Sequence, residues 1–163
     1  MNVSLDEEDR VAPGLLFLAP FGSSLSGPLI YDSHGGLIWA GGEAYAAEDN
    51  RGPHVYNFYP CDYLDIKTPD ETVHLCMNRG FQDVGTSRGE GLILGSDYQL
   101  VRGAHFNGTS PSVDIHEFTL VDNGTAAIMT QYRPIPADLS EYGIPYIRLR
   151  IPRAKTLQWG DSI

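Results

Sequence analysis

Apolar residues in this sequence come in short runs cut off by glycine, proline, asparagine and aspartate. No window of about a dozen residues repeats them at the 3.6-residue helical spacing. A chain punctuated in this way is left with short antiparallel strands joined by turns. Leu15 to Leu18 is a compact apolar run between Pro13-Gly14 and Pro20, the pattern of a strand buried on both faces. Leu29 to Tyr31 and Leu37 to Ala40 enclose Asp32-Ser33-His34-Gly35-Gly36, a hairpin whose glycines accept the positive φ of a tight reversal. His54 to Tyr59 and Thr72 to Met77 form a further pair of strands across an acidic loop. Gly91 to Leu94 and Tyr98 to Val101 flank Gly95-Ser96-Asp97 as another hairpin. Asp122-Asn123-Gly124, between Val113 to Leu120 and Ala126 to Tyr132, is the strongest local turn signal. Only Pro136 to Ser140 suits a single helical turn.

The expected fold is therefore all-β. Such strands build sandwiches, barrels or propeller blades. A blade takes four strands over about 40 to 50 residues. As a propeller, the chain would supply two to three blades of antiparallel strands, fewer than the roughly four needed for closure.

At 163 residues and 42% hydrophobic, the chain has the length of one domain and enough apolar surface for a core. Its formal charge of -10 disfavours nucleic acid, whose phosphates would be repelled over most of the surface. The charge is unevenly spread. Residues 1–143 hold 7 Lys+Arg and 20 Asp+Glu, a net of -13. Residues 144–163 hold Arg148, Arg150, Arg153 and Lys155 against Asp161, a net of +3. These last residues read as a divergent basic tail, solvated or docked on the acidic body. Residues 1–11 read as an acidic N-terminal extension, without the basic and apolar blocks of a secretory signal. No run of about 18 apolar residues occurs, so no segment is expected to cross a bilayer as a helix. Cys61 and Cys76 lie in neighbouring strand-like segments and would be either one disulfide or two buried thiols, according to compartment. Asn2, Asn107 and Asn123 head Asn-x-Ser/Thr acceptors. The Asn-Gly at the last two equally serves a hairpin turn.

Several segments taken together resemble the fungal arylsulfotransferase-like family, itself similar to the bacterial aryl-sulfate sulfotransferases. They are Ala12 to Gly22, Gly27 to Asp32 with Leu37 to Trp39, His54 to Phe58, Gly91 to Tyr98, and Asp114-Ile115-His116-Glu117-Phe118 followed by Pro134 to Ser140. The order and spacing of these pieces carry the likeness, which covers roughly residues 12–143. It implies a partial, six-bladed-type β-propeller, secretion, and sulfuryl transfer between phenolic molecules through a histidine, with no nucleotide and no cofactor. Relatives continue through further blades after the Pro-Ala-Asp-Leu-Ser segment, so the chain reads as a truncated member with open blade edges that could self-associate. The Trp expected near Leu75 to Asn78 is missing.

The chemistry centres on His116. Strand alternation puts Asp114, His116, Phe118 and Leu120 on one face, with a carboxylate beside the imidazole. Such a neighbour fixes the tautomer and raises basicity, as a nucleophile or general base needs. The competing reading is an inward-facing histidine that merely braces the blade. Arg133 could clamp a sulfate through its forked donors, although relatives carry a small amide there; Arg88 and Arg102 are further candidates. His34, His54, His74 and His105 read as solvent-facing or satisfied core residues, and Asp62, Asp65, Asp70 and Glu71 as a solvated acidic turn. No phosphate-binding loop, dinucleotide fingerprint or nucleophile elbow is present. The sequence thus offers two functions: an arylsulfotransferase with a small phenolic substrate and His116, Asp114 and Arg133 at its site, or a non-catalytic propeller-type binding module.

Overall fold

A computed structural model of the chain describes the backbone of residues 11–20, 27–45, 53–63, 73–83, 86–104, 113–122, 124–143 and 147–158. These residues form three antiparallel sheets, each built from strands consecutive in sequence. The first sheet has the order β1 (Leu15–Leu18), β2 (Leu29–Asp32), β3 (Leu37–Ala40). The middle sheet is a four-stranded meander of β4 (His54–Asp62), β5 (Val73–Asp83), β6 (Thr86–Leu94) and β7 (Leu100–Ala104). The third sheet runs β8 (Asp114–Val121), β9 (Ala126–Ala137), β10 (Ile147–Gln158). No α-helix occurs among the described residues. Gly42–Ala44 and Ser140–Tyr142 each make one 3₁₀ turn. None of the three sheets closes on itself.

The turns follow from their polar residues. Asp32 Oδ1 accepts hydrogen bonds from the backbone N–H of His34 (2.9 Å) and of Gly36 (2.7 Å), while Gly35 takes φ 85°. Asp97 Oδ1 does the same for Gln99 N–H at 2.9 Å. The β8–β9 reversal places Asp122 at φ 52° and Gly124 at φ 80°, and Thr125 Oγ1 donates to Asp122 O.

The middle sheet is covered on both faces, which explains why His74 to Asn78 on β5 are buried without a break. On one face Val55, Phe58, Leu75, Met77, Leu92 and Leu94 pack against Ile30, Phe17 and Trp39 of the first sheet. Trp39 stacks on Tyr98 at a centroid distance of 4.5 Å, and Phe17 meets Phe58 edge-on at 5.6 Å. On the other face Cys61, Cys76, Ile93 and Ala104 pack against Phe118, Ala127 and Met129 of the third sheet. Alternation along β5 and β6 thus sends successive side chains into two different cores. Among the described residues, sheet-to-sheet backbone bonding occurs at one point, where Gly89 and Val113 exchange hydrogen bonds of 2.9 and 3.0 Å.

Two expectations need correction. The run Leu15 to Leu18 forms a strand, but β1 is an edge strand with Leu15, Leu16 and Leu18 all exposed; only Phe17 turns into the core. Nothing described covers its outer side, so apolar content alone misreads it as doubly buried. Within 144–163, read as a basic tail either solvated or docked on the acidic body, the solvated alternative gives way, since β10 pairs with β9 over twelve residues, from Ile147↔Ala137 to Gln158↔Ala126. An outermost strand tolerates the proline at Pro152 and a high charge content, and these are the features that hid it.

Cys61 and Cys76 are joined as a disulfide between β4 and β5, with Cα atoms 5.8 Å apart. The bond closes a loop of sequence separation 15. A Cys61→Ser, Cys76→Ser variant should therefore lose about 3 kcal/mol, from the larger conformational freedom of its unfolded chain. Urea unfolding of the two proteins side by side checks this.

Candidate functional site

The β8 ladder is interrupted where the chemistry is concentrated. Asp114 pairs with Thr130 and Phe118 with Met129, so Ile115, His116 and Glu117 on β8 have no counterparts on β9. The extra residues form a bulge that pushes the chain out of the sheet plane. Simple alternation, which placed Asp114, His116 and Phe118 on one face, therefore fails here. Asp114 and Phe118 are fully buried, Ile115 is buried as well, and the His116 side chain is 62% exposed. The inward-facing, bracing histidine is thereby corrected: the ring faces solvent.

What survives is the pairing. Asp114 Oδ1 accepts the His116 backbone N–H at 2.9 Å and also contacts His116 Nδ1 in a short hydrogen bond. With the carboxylate ionised and the ring neutral, the carboxylate only accepts, and this pairing then places the ring proton on Nδ1 and leaves the lone pair on Nε2. The carboxylate is wholly buried while the ring is open, so one member is fixed and the other is accessible. That asymmetry suits a base or nucleophile.

The residues beyond the histidine add hydroxyl and carboxylate groups. Glu117 Oε1 accepts from Thr119 Oγ1, and Tyr59 on β4 donates its hydroxyl to Phe118 O at 2.6 Å. Burial, chiefly, with the Glu117 carboxylate adding to it, holds the Tyr59 phenol above its ordinary pKa of 10.0. A phenol with a raised folded-state pKa stabilises the fold fully below pH 10.0, and that contribution is lost as pH rises through the higher folded value. Tyr59→Phe should accordingly show a flatter decline of stability above pH 10.0 than the parent, measured by urea midpoints across alkaline buffers.

The remaining candidates separate. Arg102, on β7, bonds the Tyr63 hydroxyl at 3.1 Å, and Arg79 approaches Glu90 at 3.8 Å. Neither is placed at His116 by these contacts. Arg133 lies on β9 opposite Ile151, and Arg88 on β6 opposite Phe81; their side chains fall outside the described residues. So do His105, Asn2, Asn107, Asn123, Asp65, Asp70 and Glu71. His54 and His74 are buried; His74 stands edge-on to Tyr63 at 5.3 Å with neither ring nitrogen hydrogen-bonded. Of the two readings of His74, the core position holds and the solvent-facing one does not, while its ring nitrogens lack the hydrogen bonds expected of a satisfied core histidine. Among the described residues no group of three or more His, Cys, Asp or Glu is arranged to hold a metal. Sequence reasoning missed Asn78, whose buried amide donates to Ile115 O at 2.8 Å across the sheet interface. Only its polarity in an otherwise apolar run signalled a role.

No family model matches the chain, and neither does any curated protein or solved structure.

Proposed function

We propose that the chain is an arylsulfotransferase-like propeller segment that moves a sulfuryl group from a phenolic sulfate to a second phenol through His116. The observation that carries this is the exposed imidazole held at Nδ1 by a buried carboxylate. In the first step the Nε2 lone pair attacks sulfur, an N–S bond forms, the aryl S–O bond breaks and the phenolate leaves, to be protonated by water. In the second, an acceptor phenol attacks sulfur, its proton passes to solvent and the N–S bond breaks. Asp114 stabilises the cationic ring of the intermediate without itself taking the proton. Arg133 is the residue assigned to the sulfate oxygens. Three sheets of consecutive strands stacked face on face support the propeller reading, and the ordered set of segments that resemble the fungal family points the same way.

The test is phenol release from an aryl sulfate in the presence of an acceptor phenol, with His116→Ala as control. The wild-type chain should turn over, and the variant should fall by at least about a thousandfold, as expected for loss of a covalent nucleophile. Equal release from both proteins would remove His116 from the mechanism. No release from either would favour a second reading, a propeller-type module that binds an aromatic ligand or protein without covalent chemistry. The exposed Leu15, Leu16, Leu18, Leu37 and Ile38 of the first sheet support that reading, since apolar strands at an open end are commonly covered by another chain or a second copy.

A further inference from the structure

The bulge on β8 is fastened at both ends by side chains from the middle sheet. Asn78 on β5 donates Nδ2–H to Ile115 O at 2.8 Å, immediately before His116. Tyr59 on β4 donates its hydroxyl to Phe118 O at 2.6 Å, just after Glu117. The two accepting carbonyls bracket the two residues that leave the ladder furthest, and neither bond is made within the third sheet. A bulge releases backbone groups from their ladder, and those groups need other partners. A carbonyl can only accept, so the Asn78 amide orientation is chemically fixed, and its Oδ1 is left buried with no hydrogen bond. Asn78 thus carries a buried acceptor without a hydrogen bond in order to supply the donor that Ile115 O accepts. The two bonds together fix where the loop sits against the middle sheet.

We infer that Asn78 and Tyr59 are positioning residues that set the pose of His116 against Asp114. They act by holding the carbonyls on either side. The inference rests on the dyad reading of the site, but its primary readout needs no turnover.

The experiment records imidazole ¹H–¹⁵N correlations of His116 in the intact protein and in Tyr59→Phe and Asn78→Leu, assigned by the loss of signal in His116→Ala. The parent should show the Nδ1–H tautomer, and each variant a shift of population toward Nε2–H with broadening of the Nδ1–H resonance. Near-ultraviolet circular dichroism and urea midpoints establish that the variants are folded. If Asn78→Leu does not fold, Tyr59→Phe, which deletes a single oxygen, decides alone. A tautomer signature unchanged in the folded variants would overturn the inference. Where the parent turns over an aryl sulfate, the same variants should lose about 10- to 100-fold in kcat with KM within about twofold, the pattern of misplaced rather than missing chemistry. A parent with no turnover but with a clamp-dependent tautomer would count against sulfuryl transfer and leave the positioning role standing.

Discussion

Replacing Phe118 with alanine should cost about 4 kcal/mol, a large share of the roughly 5–15 kcal/mol that holds a domain of this kind together. Among the described residues Phe118 is the largest fully buried side chain, at 0% exposure, in the core between the middle and third sheets. Its ring lies directly over β6 at Gly91, where a Cβ would meet Phe118 Cε2 at 2.5 Å. One wall of the resulting cavity would thus be bare backbone, with no side chain able to swing in and fill it. On β9 the facing residue is Met129, itself completely buried. The cost should therefore fall near the upper part of the range for such truncations, and Phe118→Leu should lose much less. Urea unfolding, followed by fluorescence of Trp39 and Trp159, measures both. A loss under about 1 kcal/mol would mean that the two sheets do not pack through this ring.

The second large effect is expected at Asp114. Asp114→Asn keeps an oxygen for the His116 backbone N–H but replaces a pure acceptor with a group that also donates. The oxygen that meets the backbone N–H is the same Oδ1 that meets Nδ1, so in the variant both contacts go to one neutral amide oxygen, and the negative charge that favours a proton on Nδ1 and steadies the cationic ring is lost. Turnover of an aryl sulfate should fall by about a hundredfold or more, as expected when an imidazole that becomes cationic loses its buried counter-charge. Stability should change far less than in Phe118→Ala, since the side chain keeps its shape and its backbone bond. Steady-state kinetics separate the outcomes: a fall confined to kcat supports the dyad, and a rate equal to wild type would strike Asp114 from it.

The parts of this structure that were legible in the sequence are those decided locally. Asp32 and Asp122 announce their turns because their bonds close within four residues, with Gly35 and Gly124 nearby to take the positive φ. The Asp114 and His116 pairing was readable because the two are only two residues apart. The exposure of His116 was not. It depends on Asn78 and Tyr59, which lie 37 and 59 residues from the carbonyls they hold, and no local period encodes such bonds. Leu15 to Leu18 was misjudged for a related reason: apolar content states what a strand would bury, while position in the sheet order decides what it can. In β10 the charged residues and Pro152 outweighed the strand propensity of Ile147, Leu149 and Ile151, although these marks belong on an outermost strand.

The consecutive strand order has an evolutionary side. Since no strand is inserted between others made earlier or later in the chain, a gene can gain or lose whole hairpins at either extremity by duplication or deletion without rethreading what exists. The segment bearing His116 depends on its immediate predecessor for its shape, so those two layers would have to be inherited as a pair, whereas the number of additional layers is free to drift.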